Sequence, residues 1–159
     1  MRYLILSDSH GSEEHISLLD KELDSVDAVI HLGDHAEDIH YLSQNPNLIF
    51  YVIRGNCDSK DFGKSEILIE DHGKKVLMTH GHRYNVKINL MNLCYKGEEI
   101  GADIVLFGHT HFPMTEDLNG MWLHNPGSLT FPMPGSARGY SIMKIDESGV
   151  EIVRHELLE

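Results

Sequence analysis

The sequence predicts an α/β sandwich, with mixed β-sheet inside and helices outside. Three observations carry that expectation. Short apolar runs of strand length are each followed by Gly, Asp, Asn or His. Segments with helical spacing separate several of these runs. Further along, three segments place two strand-like runs around a turn that contains Gly. Strand and helix alternation followed by hairpins gives a mixed sheet, or two packed sheets, with helices on the outer faces.

The elements follow in order. YLIL at 3–6 reads as a buried strand. In SEEHISLLDKELDS at 12–25, Ser12 is a suitable N-cap, and Ile16, Leu19 and Leu23 share one helical face. AVIHL at 28–32 is a second strand, a helix is expected over 36–43, and LIFYVI at 48–53 is a third strand. VLMTH at 76–80 and DIVLFG at 103–108 complete the apolar runs. Between them Val86, Leu90, Leu93, Gly97 and Ile100 keep helical spacing over 86–100, and Gly101 supplies a stop. The hairpins are expected within 65–80, 114–125 and 139–155.

The 159 residues, 41% hydrophobic, suffice for one sizeable core, so a single domain over 1–159 is expected. Thirteen basic against 25 acidic residues give a formal net charge of −12. That balance argues against nucleic acid and anionic membrane as partners, while self-association into a homo-oligomer stays open. The apolar run in MRYLILSDSHG stops at Ser7, too short for a secretory signal, and no later run has the length of a membrane span. The chain therefore reads as cytoplasmic. Cys57 and Cys94 do not make a disulfide framework, and Cys94, in NLCYKG, reads as a small buried side chain.

The chemistry lies after the strands. Asp8 and His10 follow the first, Asp34 the second, Asn56 the third, His80 the VLMT run, and His109 and His111 the DIVLFG run. Ligands in open α/β sheets gather beyond the carboxyl ends of strands, so distant segments can deliver these side chains to one rim. Carboxylates, imidazoles and an amide, without paired thiolates, suit Mn, Fe, Zn, Ni or Mg and argue against a structural zinc knot. Any one histidine here is unremarkable as a hydrogen-bonded side chain; the ordered set is not.

That set, Asp8-Ser-His10, Gly33-Asp34, Gly55-Asn56, His80-Gly81-His82 and Gly108-His109-Thr-His111, resembles the calcineurin-like metallophosphoesterase superfamily. The chain length, GNCD at 55–58 and NPGS at 125–128 resemble its small YfcE-type phosphodiesterases. The resemblance implies a four-layer αββα sandwich of two mixed sheets flanked by helices, with a centre of two divalent metal ions. Mn2+ is the first choice, with Ni2+, Fe2+, Zn2+ and Mg2+ as alternatives. It places Asp8, His10 and His111 on one ion, Asn56, His80 and His109 on the other, and Asp34 between both. His82 then faces substrate or backs a ligand. The implied reaction is hydrolysis of a small phosphodiester by a metal-bridging hydroxide. Two dications against Asp8 and Asp34 leave about two positive charges, which lets an acidic protein bind a phosphate ester.

Several residues stay open at this stage. His35, Glu37 and Asp38 either hydrogen-bond behind the ligands or form a solvated helix start. Arg54 either meets phosphate or pairs with a surface carboxylate. Asn125 and Ser128 either line the site or belong to a plain Pro-Gly turn, and His124 could join that rim. Cys57 stands where many relatives carry a histidine that resembles a general acid; a thiol beside two dications favours its thiolate and donates protons poorly, so Cys57 either is an adventitious ligand or merely fills a small polar gap. Two other readings compete. A eukaryotic retromer subunit resembles this family and suggests a protein-binding scaffold, but a scaffold is free to lose ligands and this chain carries the full set. A nuclease is opposed by the charge and by the lack of a basic, aromatic-interleaved stretch.

Overall fold

The computed structural model describes residues 1–158. Its strands are β1 (Arg2–Leu6), β2 (Ala28–His31), β3 (Ile49–Val52), β4 (Glu66–Asp71), β5 (Lys74–Thr79), β6 (Ile104–Leu106), β7 (Met114–Leu118), β8 (Met121–Asn125), β9 (Gly139–Asp146) and β10 (Gly149–Glu156). They form two five-stranded sheets, ordered β10-β9-β1-β2-β3 and β4-β5-β6-β8-β7. Both are mixed. β1, β2 and β3 run parallel, as do β5, β6 and β8, while the three expected hairpins β4–β5, β7–β8 and β9–β10 are antiparallel.

Strand pleating builds the layers, because successive side chains point to opposite faces. Tyr3 and Ile5 of β1 enter the core between the sheets, where they meet Ile30, Met78, Leu106 and Met143. Leu4 and Leu6 turn outward against Ile16, Leu19 and Leu23. On the second sheet Leu77, Val105 and Leu123 face outward against Val86 and Leu93. Three stacked cores therefore separate four layers, as the αββα expectation requires. No helix among the described residues is long and apolar enough to cross a membrane.

The helical layers are thinner than the spacing suggested. The 12–25 segment opens as an α-helix only at Glu13–Ser17 (α1), capped by the Ser12 hydroxyl, and continues as a 3-10 helix over Leu18–Ser25. Ala36–Tyr41 is also 3-10. The third helix is α2 (Met91–Ile100), which begins five residues later than expected, after a turn that opens at Asn85 with left-handed φ of 53°; Asn89 Oδ1 accepts the Met91 amide at 3.0 Å. Its end at Gly101, with φ of 67°, is as expected. Cys94 is half-buried against the outer core, short of full burial.

His124 ties the two sheets together instead of joining the rim. Fully buried on β8, it faces Thr115 Oγ1 at 2.8 Å and, across the interface, Ser141 Oγ of β9 at 2.9 Å. Burial, aided by Arg154, drives its pKa down to about 4. A depressed pKa means that the unfolded chain takes up the proton first, so the associated stability is present above the ordinary histidine pKa of about 6.5 and fades as pH falls towards 4. Linkage expects His124 to remove about 2 kcal/mol between about pH 7 and about pH 5. Urea unfolding of wild type and His124→Gln checks this: the variant, less stable at neutral pH, should lose less on acidification, and parallel losses would refute it.

Candidate metal centre

The seven residues singled out at strand ends converge on one rim, beyond the carboxyl ends of β1, β2, β3, β5 and β6. Asp8, His10, Asp34 and His111 offer donor atoms within 4.8 Å of one another, and so do Asp34, His80 and His109. Asp34 belongs to both groups. Its Oδ1 lies 3.4 Å from His80 Nε2, and its Oδ2 lies 3.9 Å from His10 Nε2. Asn56 joins the second group, with Oδ1 at 3.1 Å from His80 Nε2.

Each donor is aimed by a hydrogen bond on its far side, the arrangement that fixes ligand orientation in metal sites. His80 Nδ1 donates to the Leu32 carbonyl at 2.7 Å, and His111 Nδ1 to the Phe131 carbonyl at 2.7 Å, which turns each Nε2 inward. Asp8 Oδ2 accepts from Ser7 Oγ at 2.5 Å and from the His109 amide at 3.1 Å. Its fully buried Oδ1 has no donor in hydrogen-bond geometry among the described residues and is faced instead by the imidazole nitrogens of His111 (3.2 Å) and His80 (3.9 Å). Such an oxygen is costly unless a cation satisfies it. This acceptor and the mixed oxygen and imidazole donors fit divalent ions.

Burial raises both carboxyl groups, but the neighbouring His80 holds Asp34 well below the usual carboxylate range, and the nearby His111 lowers Asp8. Both are therefore anionic. Burial, reinforced by the charge of His80, pushes His109 down to about 4, so it is the neutral form that faces the rim.

The backbone carries strain at the same place. Asp8, His10, Asp34, His109 and His111 all have left-handed φ, between 48° and 68°. Each costs about 1 kcal/mol or more, and such residues persist only where their surroundings over-determine them. Two glycines permit the crowding. A Cβ on Gly55 would collide with Asp34 Oδ1, and one on Gly108 with Ser7 Oγ.

Residues that brace these loops were partly missed from sequence. Asp58 accepts three backbone N–H groups, from Asp34 (2.9 Å), Ala36 (3.0 Å) and Gly55 (2.7 Å), and so locks two strand-end loops together. The D of RGNCD was its only signal. Asp38 is buried, not solvated; its Oδ2 accepts from the Gly11 amide (2.7 Å) and Ser9 Oγ (2.6 Å), and Ser9 in turn meets His31 Nε2 at 2.9 Å. Glu37 is exposed, as a solvated helix start would have it, and His35 is half-buried with φ of 60°. Asn125 and Ser128 do more than shape a turn: Asn125 Nδ2 donates to the Gly108 carbonyl and Ser128 Oγ to the Asp8 carbonyl.

His82 is half-buried, its ring centroid 5.3 Å from that of His80, and its Nδ1 has no partner among the described residues. Cys57 is exposed; its amide donates to Asp34 Oδ1 at 2.9 Å, and Asn56 Nδ2 donates to its Sγ at 3.6 Å. Burial and the Asp34 charge raise the thiol pKa, so any thiolate preference must come from bound ions. Arg54 Nη1 donates to the Lys60 carbonyl, not to a carboxylate.

Fold and rim together define a metallophosphoesterase. Residues 1–148 match the model of the calcineurin-like phosphoesterase superfamily domain, and the chain belongs to that superfamily. It is 36% identical over 153 residues to the probable metallophosphoesterase YsnB of Bacillus subtilis, covering 96% of this chain and 89% of that one. It is 29% identical over 105 residues to the phosphodiesterase YfcE of Escherichia coli, covering 60% and 52%. Among solved structures, a conserved protein from Streptococcus pneumoniae described as a predicted phosphoesterase superposes with a TM-score of 0.78 at 27% identity, covering 99% of this chain and 92% of that one. Vps29 from Entamoeba histolytica, solved with Zn2+, has a TM-score of 0.73 at 19% identity, covering 99% and 100%, which shows the shared fold. Membership implies divalent metal ions, for which candidate ligands are present.

Proposed function

We propose that this protein is a phosphodiesterase that uses two divalent ions, Mn2+ first, held by Asp8, His10, Asp34 and His111 on one side and by Asp34, Asn56, His80 and His109 on the other. The observation that carries this reading is the shared carboxylate, with one oxygen of Asp34 turned to each donor group. When bound, the ions supply Lewis-acid activation of water and neutralise phosphate charge. The chain's own residues do the rest. The far-side hydrogen bonds of His80 and His111 aim their inner nitrogens at the centre, where a bound ion would take the place of the proton that Asp34 and Asp8 otherwise favour there. Asp8 and His80 close the floor, while the exposed Asn56 and Cys57 mark the side from which a substrate enters. The names of relatives support the diester choice. A scaffold role is opposed by the intact donor set.

A thiol in place of a histidine leaves the departing oxygen without an obvious proton donor at position 57. The proposal therefore expects activated aryl diesters to be cleaved well, and alkyl diesters and monoesters poorly. Cys57→His should flatten the dependence on leaving-group acidity, and Cys57→Ala should resemble wild type on activated esters. A screen of monoesters, cyclic nucleotides and linear diesters with several metals, followed by a series of graded phenols, tests this. Turnover of monoesters alone would sink the diesterase reading. A wild-type slope as shallow as that of Cys57→His would transfer the proton to another donor, His82 first.

A further inference from the structure

We infer that the groove beside Asn56 receives a second anionic group of the substrate, so that this protein favours diesters bearing a further phosphate on one ester substituent; this rests on the phosphodiesterase reading. The groove, about 570 Å³ in volume, is lined by Arg54, Asn56, Asp58, Lys60, His82 and Arg83 among others. That volume lies within the range of small-ligand sites. It opens directly from the candidate centre, since Asn56 Oδ1 sits 3.1 Å from His80 Nε2 and the His82 ring lies 5.3 Å from that of His80.

The charge of this groove runs against that of the molecule. Arg54, Lys60 and Arg83 converge in a chain of formal net charge −12. The single acid among them, Asp58, is already engaged by three backbone N–H groups. Arg54 is tethered through Nη1 to the Lys60 carbonyl, which holds its guanidinium at the groove. Cations gathered in a cleft focus a local positive field even on an acidic protein. Guanidinium forks match phosphate oxygens better than any neutral donor does.

The opposite flank differs. There a space of about 460 Å³ is bounded by Val86, Phe112 and Met133 beside His109 and His111, with Lys87 as its cation. A diester lying across the centre therefore meets an apolar wall on the His111 side and three cations on the Asn56 side. An aryl or other apolar ester group suits the first, and a phosphate-bearing group the second.

The test compares two diesters with the same leaving group, 4-nitrophenyl ethyl phosphate and 4-nitrophenyl 2-phosphoethyl phosphate, on metal-loaded protein. One charge-assisted hydrogen bond corresponds to about 10- to 100-fold in affinity, and the wild-type kcat/KM ratio should favour the second ester by about that factor, mainly through KM. The ratio should shrink as salt is raised. In Lys60→Gln/Arg83→Gln, whose altered side chains are exposed, the ratio should fall several-fold, Arg54 remaining as a cation of the groove, with circular dichroism confirming the fold. A wild-type ratio near one, or one unchanged in the variant, overturns the inference. Equilibrium binding of the same esters, read by calorimetry, separates the two layers of the reading. If neither ester is turned over but the affinity ratio and its loss persist, the diesterase reading falls and the anion groove stands.

Discussion

Protein stripped of divalent ions by a chelator, and shown metal-free by elemental analysis, is expected to lose aryl diesterase activity by about a thousand-fold or more, because several kcal/mol of charge stabilisation leave with the ions. Mn2+ added back should restore it. The donor set motivates the reversibility: oxygen and imidazole ligands without paired thiolates exchange ions more readily than a closed thiolate site. Asp8 Oδ1 points the same way, since this buried oxygen is faced by the imidazole nitrogens of His111 (3.2 Å), His80 (3.9 Å) and His10 (4.0 Å), a donor cluster that a shared cation would satisfy. Full activity in demonstrably metal-free protein would end the metal-dependent reading.

Replacing one oxygen of the shared carboxylate is expected to cost nearly as much. Asp34→Asn removes the anion that faces both donor groups, and activity should fall by about a thousand-fold together with metal content. Asp38→Asn is the control. Both hydrogen bonds of Asp38 go to a single oxygen, which an amide retains, so a loss below about ten-fold is expected. Asp58→Asn should lie between the two, at about 10- to 100-fold, because both of its oxygens accept N–H groups and an amide nitrogen would confront one of them. Equal losses in Asp34→Asn and Asp38→Asn, with both variants folded by circular dichroism, would remove Asp34 from its proposed place.

Much of the architecture was legible from local pattern. The hairpins declare themselves through turns such as Asn119-Gly120 and His72-Gly73, where both residues have positive φ and glycine is the residue that tolerates it. The gathering of Asp8, Asp34, Asn56, His80 and His109 at one rim followed from their place just after parallel strands. The helices were over-read, because apolar spacing reports which face is buried and does not separate an α-turn from the 3-10 turns over Leu18–Ser25 and Ala36–Tyr41. The bracing carboxylates were hidden for a different reason. Asp58 acts on backbone groups 22 and 24 residues away, and Asp38 on Ser9, 29 residues away, so their work exists only once the loops meet. Nothing in a sequence marks an acid that binds amides instead of solvent. Likewise Arg83 reaches the cationic groove only because a short 3-10 turn at His82–Tyr84 carries it past the end of β5.

Each donor group draws from both sheets. His111 follows β6 of the second sheet and meets Asp8, His10 and Asp34 from the first, while His80 and His109 of the second sheet meet Asp34 of the first. Neither group exists on a lone sheet, so the ions can be bound only by a molecule whose halves are already docked. Occupancy then acts as a clasp across the sandwich: by mass action every tenfold rise in free ion above the dissociation constant adds about 1.4 kcal/mol against separation of the halves. Under the proposed function, the supply of metal would then bear on the stability of the sandwich as well as on its rate.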